Sequence, residues 1–238
     1  MISIILVEPK NSGNIGAIAR IMKNFEFSEL ILVNPKVNHL SQTAKNRAKH
    51  AQEILKKAKV KKSDKKLDKI LGGYDYLIGT TGKIGSDYNI PRSPITPEKL
   101  AEKLKDKKLL KKKIGLIFGR ENKGLYNKEI QICDFVVHIP GNKKYPVFNL
   151  SHSIGIILYE LFKKKPDKTT SSSSHIVYAS KTEKDQLEKL LNKALNNLEF
   201  STAEKKLTQK KVWKRLIGKS FLTKREAYAL MGFFRKLI

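Results

Sequence analysis

The stretch "SIILVEPKNSGNIGAIARIMKNFEFSELILVNP" (residues 3–35) holds two apolar runs with a helical repeat between them. The first run, "SIILVEP" (3–9), is continuously apolar up to Glu8 and Pro9. A half-solvated strand alternates, whereas a continuous run suits a strand of a parallel sheet covered on both faces. Ile15, Ile18, Ala19, Met22 and Phe25 then recur at helical spacing and predict a helix of about three turns. "LILVNP" (30–35) is a second strand, stopped by Pro35. The alternation continues along the chain. Residues 42–57 predict a helix, and "KKAKVKKSDKK" (56–66) a solvated basic stretch. "YDYLIGTTGK" (74–83) is a strand running into a Gly/Thr turn. In the Pro-rich loop 91–100, Thr96 can cap the next helix with Pro97 at its first position. "KIGLIFGREN" (113–122) and "CDFVVHIP" (133–140) are further strands, and "NLSHSIGIILYELF" (149–162) is a helix apolar on nearly every face. Strands alternating with helices predict an α/β fold, a parallel sheet with helices on both faces. Ligands of such sheets sit beyond the carboxyl ends of the strands. The loops 8–16, 79–85, 118–124 and 140–148 are therefore the candidate site.

Composition shifts at "KKKPDKTTSSSSH" (163–175), a linker by its Lys, Pro and Ser content. Beyond it, "SKTE" (180–183) and "TKRE" (223–226) are capping boxes. The first precedes an apolar helical face of Leu187, Leu190, Leu191, Ala194, Leu195 and Leu198, and the second precedes Leu230, Phe233, Phe234 and Leu237. The expected organisation is a catalytic-sized domain over 1–165, a Ser/Lys-rich linker over 166–180 and a small, basic, all-helical module over 181–238.

Charge narrows the partners. Forty-nine Lys and Arg against 22 Asp and Glu leave +27 on 238 residues. Such an excess attracts polyanions, because neutralised phosphates release condensed counterions. Lys outnumbers Arg, which favours backbone and shape recognition over bidentate base reading. Nucleic acid is thus the expected partner. No apolar run reaches the roughly 20 residues of a membrane span, and the N-terminus lacks the features of a signal peptide. The single cysteine, Cys133, excludes an internal disulfide and lies in an apolar run, so a buried thiol is expected and a cytoplasmic location with it. His39, His50, His138, His152 and His175 are scattered with no metal-ligand spacing, so no metal is expected.

"NSGNIGAIAR" (11–20) leaves three readings open: a phosphate loop, a structural turn, or a loop that places Arg20. It offers Gly13 and Gly16 but not the three glycines of a dinucleotide fingerprint, and no G-x-x-x-x-G-K-[ST] occurs in the chain. Arg20 by itself reads as a solvated surface residue. In "FGRENKGL" (118–125), Gly119 and Gly124 permit tight turns with Glu121 between them. Asn149 stands where a helix cap is expected.

In order and spacing these stretches resemble the SpoU (TrmH) branch of the SPOUT RNA methyltransferases over about residues 1–162. "NSGNIGAIAR" resembles that family's N-x-G-x-x-A-R, which ends on its catalytic arginine. "IFGRENKGLYNKEIQICDFVVHIP" (117–140) resembles F-G-x-E-x-x-G-L and the following strand. "YPVFNLSHSIGIILYEL" (145–161) resembles S-L-N-[LV]-[SA] and its apolar helix, and "LIGTT" (77–81) the G-T-[ST] turn. "VWKRLIGKSFLTKREAYALMGFFRKLI" (212–238) is similar to the helical end of the TrmJ-type tRNA 2′-O-methyltransferases, which act on nucleotide 32 of the anticodon loop.

The resemblance implies a C-terminal trefoil knot in the catalytic domain, homodimers, S-adenosylmethionine as cofactor and tRNA as substrate. Carried over by position, it places the cofactor against Thr80, Thr81, Gly82, Gly119, Ile139, Pro146, Val147 and Phe148. The catalytic positions are Arg20, Glu121 and Asn149, and Arg20 can serve the partner's cofactor. One departure stands out: the family's Ser-Leu before Asn is Val147-Phe148 here, so that hydroxyl is missing. The expected activity is tRNA ribose 2′-O-methylation. The alternatives are an rRNA or other tRNA target and a non-catalytic RNA-binding relative.

Overall fold

A computed structural model describes residues 1–62, 67–82, 94–106, 108–164 and 176–238. Six strands form one sheet: β1 (Ile2–Val7), β2 (Glu29–Val33), β3 (Lys59–Lys61), β4 (Tyr76–Thr80), β5 (Ile114–Phe118) and β6 (Phe135–Val137). Their spatial order is β3-β2-β1-β5-β4-β6, and every adjacent pair is parallel. The strand order reverses between β1 and β5, which opens a crevice beyond the carboxyl ends.

Both faces of the sheet are covered, as the continuous apolar runs require. Ile4, Leu6, Leu32, Ile78, Leu116 and Phe118 face one core. That core is closed by α1 (Ser12–Asn24), α2 (Gln42–Ala48), α3 (Gln52–Lys57), α5 (Pro97–Lys103) and α7 (Leu150–Lys163). The alternate residues Ile5, Val7, Ile31, Leu77, Ile117 and Val136 face a smaller core under α4 (Leu67–Ile70) and α6 (Asn127–Ile132). Thr96 caps α5 by accepting from Lys99 N–H, with Pro97 in the first turn, as the sequence predicts.

Two expectations are corrected. The basic stretch 56–66 contains β3, whose three residues are all exposed. It is an edge strand held by backbone pairing to β2, and its lysines keep that edge soluble. The helix expected over 42–57 is interrupted at Lys49, where φ is 51°. Residues 63–66, 83–93 and 165–175 lie outside the described residues, and with them most of the expected linker, the end of the loop 79–85 and His175.

The C-terminal residues form α8 (Lys181–Asn197), α9 (Ala203–Ser220) and α10 (Lys224–Arg235) around a core of their own. Both capping boxes are present, Ser180 with Glu183 and Thr223 with Glu226. Leu198, Phe233 and Leu237, expected on the apolar faces, are exposed. These helices are docked on the sheet domain. Phe221 enters its core against Tyr76 and Phe135, with centroids 4.8 and 5.6 Å away. Buried Arg215 donates to the carbonyls of Ile130 and Cys133 at the end of α6 (3.0 and 3.3 Å). Lys184 pairs with Asp134 at 3.1 Å and stands 3.6 Å over the Tyr76 ring. Ala179 N–H bonds the Leu222 carbonyl, and the Tyr178 hydroxyl bonds Asp106 (2.8 Å). The contacts with Tyr76, Asp134 and Phe135 fall at the amino ends of β4 and β6, away from the crevice.

Candidate active site

A cavity of about 370 Å³ lies beyond β4, β5 and β6. All eight residues expected at the cofactor line it: Thr80, Thr81 and Gly82 after β4, Gly119 after β5, Ile139 after β6, and Pro146, Val147 and Phe148 before α7. Glu121 lines it as well, whereas Arg20 and Asn149 do not.

Local chemistry explains the walls. After β5 the chain doubles back: Arg120 and Gly124 exchange both backbone hydrogen bonds (2.9 and 3.2 Å). Gly124 takes φ +60°, which favours glycine. A side chain at Gly119 would stand 2.0 Å from the Gly124 carbonyl carbon, so only glycine fits this turn. The Thr80 hydroxyl is spent inside the sheet on the Ile117 carbonyl (3.1 Å). Thr81 N–H bonds the Val137 carbonyl, and its own carbonyl meets His138 Nδ1 at 3.0 Å. Val137, Ile139, Leu150 and Phe118 give the lining an apolar side, and Glu121, Asn122, Lys123 and Ser153 a polar one. That combination suits a flat purine nucleoside.

Glu121 argues against the phosphate-loop reading of "NSGNIGAIAR". Its carboxylate accepts from the backbone N–H groups of Lys10 and Asn11 (both 3.1 Å) and from the Asn14 side-chain amide (3.4 Å). The amides that a phosphate loop would offer to a ligand are held by this acid, next to the positive end of α1. Asn11 caps α1 through Asn14 N–H. Gly16 is a packing residue, since a Cβ there would stand 2.2 Å from the Ala44 carbonyl oxygen of α2. The start of the stretch is thus a turn tied to the β5 loop, ahead of the helix that carries Arg20.

Asn14, which the sequence reading passed over, is the hub of the remaining polar contacts. Its Oδ1 accepts from Asn149 Nδ2 at 3.4 Å while its Nδ2 donates to Glu121. Asn149 also caps α7, accepting from Ser151 N–H (2.9 Å) and the Ser151 hydroxyl (2.8 Å). Two of the expected catalytic residues, Glu121 and Asn149, are therefore joined through Asn14. Arg20 is not in this group. It lies six residues beyond Asn14, about 9 Å along the helix and about 120° around it, and is exposed. At the end of the same helix, Tyr159 and Phe162 of α7 pack on Phe25 yet remain exposed.

Among the described residues no group of three His, Cys, Asp or Glu could hold a metal, and no helix is long and apolar enough to cross a membrane. Cys133 is fully buried.

Residues 1–159 match the SpoU rRNA Methylase family. The chain is 42% identical, over 99% of its length and 99% of the relative's, to the tRNA (cytidine-2′-O-)-methyltransferase TrmJ of Methanocaldococcus jannaschii. It is 33% identical to the enzyme of the same name from Sulfolobus acidocaldarius, over 99% of this chain and 93% of that one. In fold it resembles the crystal structure of TrmJ from Z. mobilis ZM4, with a TM-score of 0.67 at 24% identity over 100% of this chain and 99% of that one. The chain belongs to the SpoU methylase family and is a TrmJ-type SPOUT methyltransferase.

Proposed function

We propose that the chain is an S-adenosylmethionine-dependent tRNA ribose 2′-O-methyltransferase acting at nucleotide 32 of the anticodon loop. The observation that carries this is the single cavity that gathers all eight expected cofactor residues from three loops distant in sequence, those after β4, β5 and β6. The named activity of relatives matched along nearly the whole chain supports it.

When bound, S-adenosylmethionine supplies a methyl group on a cationic sulfonium. Gly82, Gly119, Ile139 and the 146–148 segment would hold it in the cavity. The protein's own contribution is positioning and charge. Arg20 holds a phosphate and the target 2′-hydroxyl together and stabilises the oxyanion that develops as the hydroxyl proton passes to water. Asn14, Glu121 and Asn149 fix the loop from which α1 starts. Arg20 faces away from its own chain's core, so it serves the cavity of a partner in a homodimer built on α1 and α7. The exposed Tyr159 and Phe162 belong to that face. The segment around β6 and α7 forms the trefoil knot of the fold, the lysines of α9 grip tRNA, and the enzyme works in the cytoplasm.

The test is methyl incorporation into unfractionated tRNA and rRNA, with mass mapping of the product. Label at tRNA ribose 32 is expected. Label only in rRNA or at another nucleotide overturns the target. No transfer to either RNA, with cofactor bound, makes the chain a non-catalytic RNA-binding relative, a reading motivated by Val147 in place of serine.

A further inference from the structure

Arg120 borders two cavities. One is the proposed cofactor cavity, and the other is a polar cavity of about 630 Å³ beyond β1 and β2. Its side chain is only 7% exposed, and each of its three nitrogens has a partner. Nε donates to Glu8 (2.9 Å), and Nη1 and Nη2 donate to the two oxygens of Glu129 (both 3.0 Å). Nη1 also reaches the Gly124 carbonyl at 3.4 Å, and the guanidinium lies 4.0 Å from the Tyr126 ring centre. Burial works against the charge, but the bonds to Glu129 and Glu8 outweigh it and leave the guanidinium more basic than usual.

The arrangement has a direction. Glu8 is the residue after β1, held at φ 47°, a left-handed conformation uncommon for a non-glycine residue. Two residues further on, Lys10 and Asn11 give their N–H groups to Glu121. Consecutive side chains of the β5 loop therefore grip the β1–α1 loop at two points, Arg120 at Glu8 and Glu121 at residues 10–14. Arg120 also ties that pair of loops to α6 through Glu129, by a bidentate fork that lysine cannot reproduce.

We infer that Arg120 is a positioning residue for methyl transfer: it sets the 119–125 turn against the cofactor and, through Glu8, sets the start of the helix that carries Arg20. The inference rests on the proposed function of the cavity. Truncating Arg120 would leave Glu8 and Glu129 without their cation and free both loops.

The test uses the full-length protein. S-adenosylmethionine affinity is measured by calorimetry, and single-turnover transfer to tRNA at saturating cofactor, for wild type, R120M, R120K, E8Q and the R120M/E8Q double variant. R120M is expected to weaken cofactor binding at least tenfold and to slow the saturated rate at least tenfold, with R120K recovering part of both. E8Q should act in the same direction, and the double variant should fall no further than R120M alone. A role in stability only would lower the melting temperature and leave affinity and rate within threefold of wild type, which overturns the inference. If R120M does not fold, R120K and E8Q decide it on the same threshold. Wild type that binds no cofactor overturns the proposed function and this inference together, whereas wild-type binding with unaltered variants overturns this inference alone.

Discussion

Glu121 holds Asn14: its carboxylate accepts the Asn14 side-chain amide at 3.4 Å while also binding two backbone N–H groups of the same loop. An ionised acceptor facing three donors is stronger than a neutral one. Glu121→Gln replaces one oxygen by an NH₂ group that must face a donor. Loss of a charged hydrogen bond of this kind costs about 1.5–3 kcal/mol. The expected outcome is a saturated transfer rate lower by roughly 10- to 100-fold, with the chain still folded by circular dichroism. A Glu121→Gln rate equal to wild type would remove Glu121 from the site.

Arg20 is exposed and touches none of the cavity wall. Arg20→Ala is therefore expected to abolish transfer and leave S-adenosylmethionine binding nearly intact, and Arg20→Lys should rescue little because the fork is lost. Calorimetry that finds cofactor binding lost in Arg20→Ala would refute the assignment. In a homodimer, mixing Arg20→Ala with a cavity variant such as Gly119→Ala should restore part of the activity, since one site per mixed dimer then has both a wild-type cavity and a wild-type partner arginine.

What was legible in the sequence follows from the kind of interaction involved. The cavity loops were legible because each one ends an apolar run, and hydrophobic pattern marks where strands stop. β3 was not, because an edge strand is attached through its backbone, and Lys59 and Lys61 look the same on a solvated coil. Glu8, Arg120 and Glu129 were not, because Glu8 and Arg120 pair across 112 residues. Asn14 reads as one more turn residue until its two partners, 107 and 135 residues away, are placed beside it. Arg20 has no local signature of function, and its proposed role rests on its place in a family motif.

Asp134 joins the C-terminal helices to the sheet domain. One oxygen accepts Leu77 N–H (2.7 Å) at the start of β4, and the other pairs with Lys184, whose own burial pulls its pKa down. Asp134→Ala takes the carboxylate from the buried Lys184 ammonium, leaving it the Asp75 carbonyl and the Tyr76 ring, and takes the side-chain acceptor from Leu77 N–H. The expected cost is about 3–5 kcal/mol, read as a lower midpoint in denaturant. A midpoint unchanged from wild type would mean that Lys184 reaches water and that the docking is weaker than these contacts imply.

Cys133 supplies a pH test of the same region. Burial pushes its thiol up to about 12, against about 8.5 in an unfolded chain. The folded state thus favours the neutral thiol. Its contribution to stability is complete below about pH 8.5 and declines as pH rises from there through the folded value. At pH 8 a thiol-reactive chromogen should label native protein negligibly and unfolded protein at one equivalent. Rapid native labelling would show that α9 leaves this surface readily.

Two glycines of the cavity separate fold from ligand contact. At Gly119 an added methyl would stand 2.0 Å from the Gly124 carbonyl carbon, and backbone cannot move away cheaply. At Gly82 the nearest atom would be a Val147 methyl at 3.5 Å, an ordinary contact. Gly119→Ala is therefore expected to lower the melting temperature and weaken cofactor binding together. Gly82→Ala should melt within about 2 °C of wild type, as a change under 0.5 kcal/mol implies. Any loss of S-adenosylmethionine affinity in Gly82→Ala, measured by calorimetry, then reports the methyl meeting the ligand itself. Unchanged affinity in a folded Gly82→Ala would place the cofactor away from the β4 loop and leave the β5 loop and the 146–148 segment as its walls.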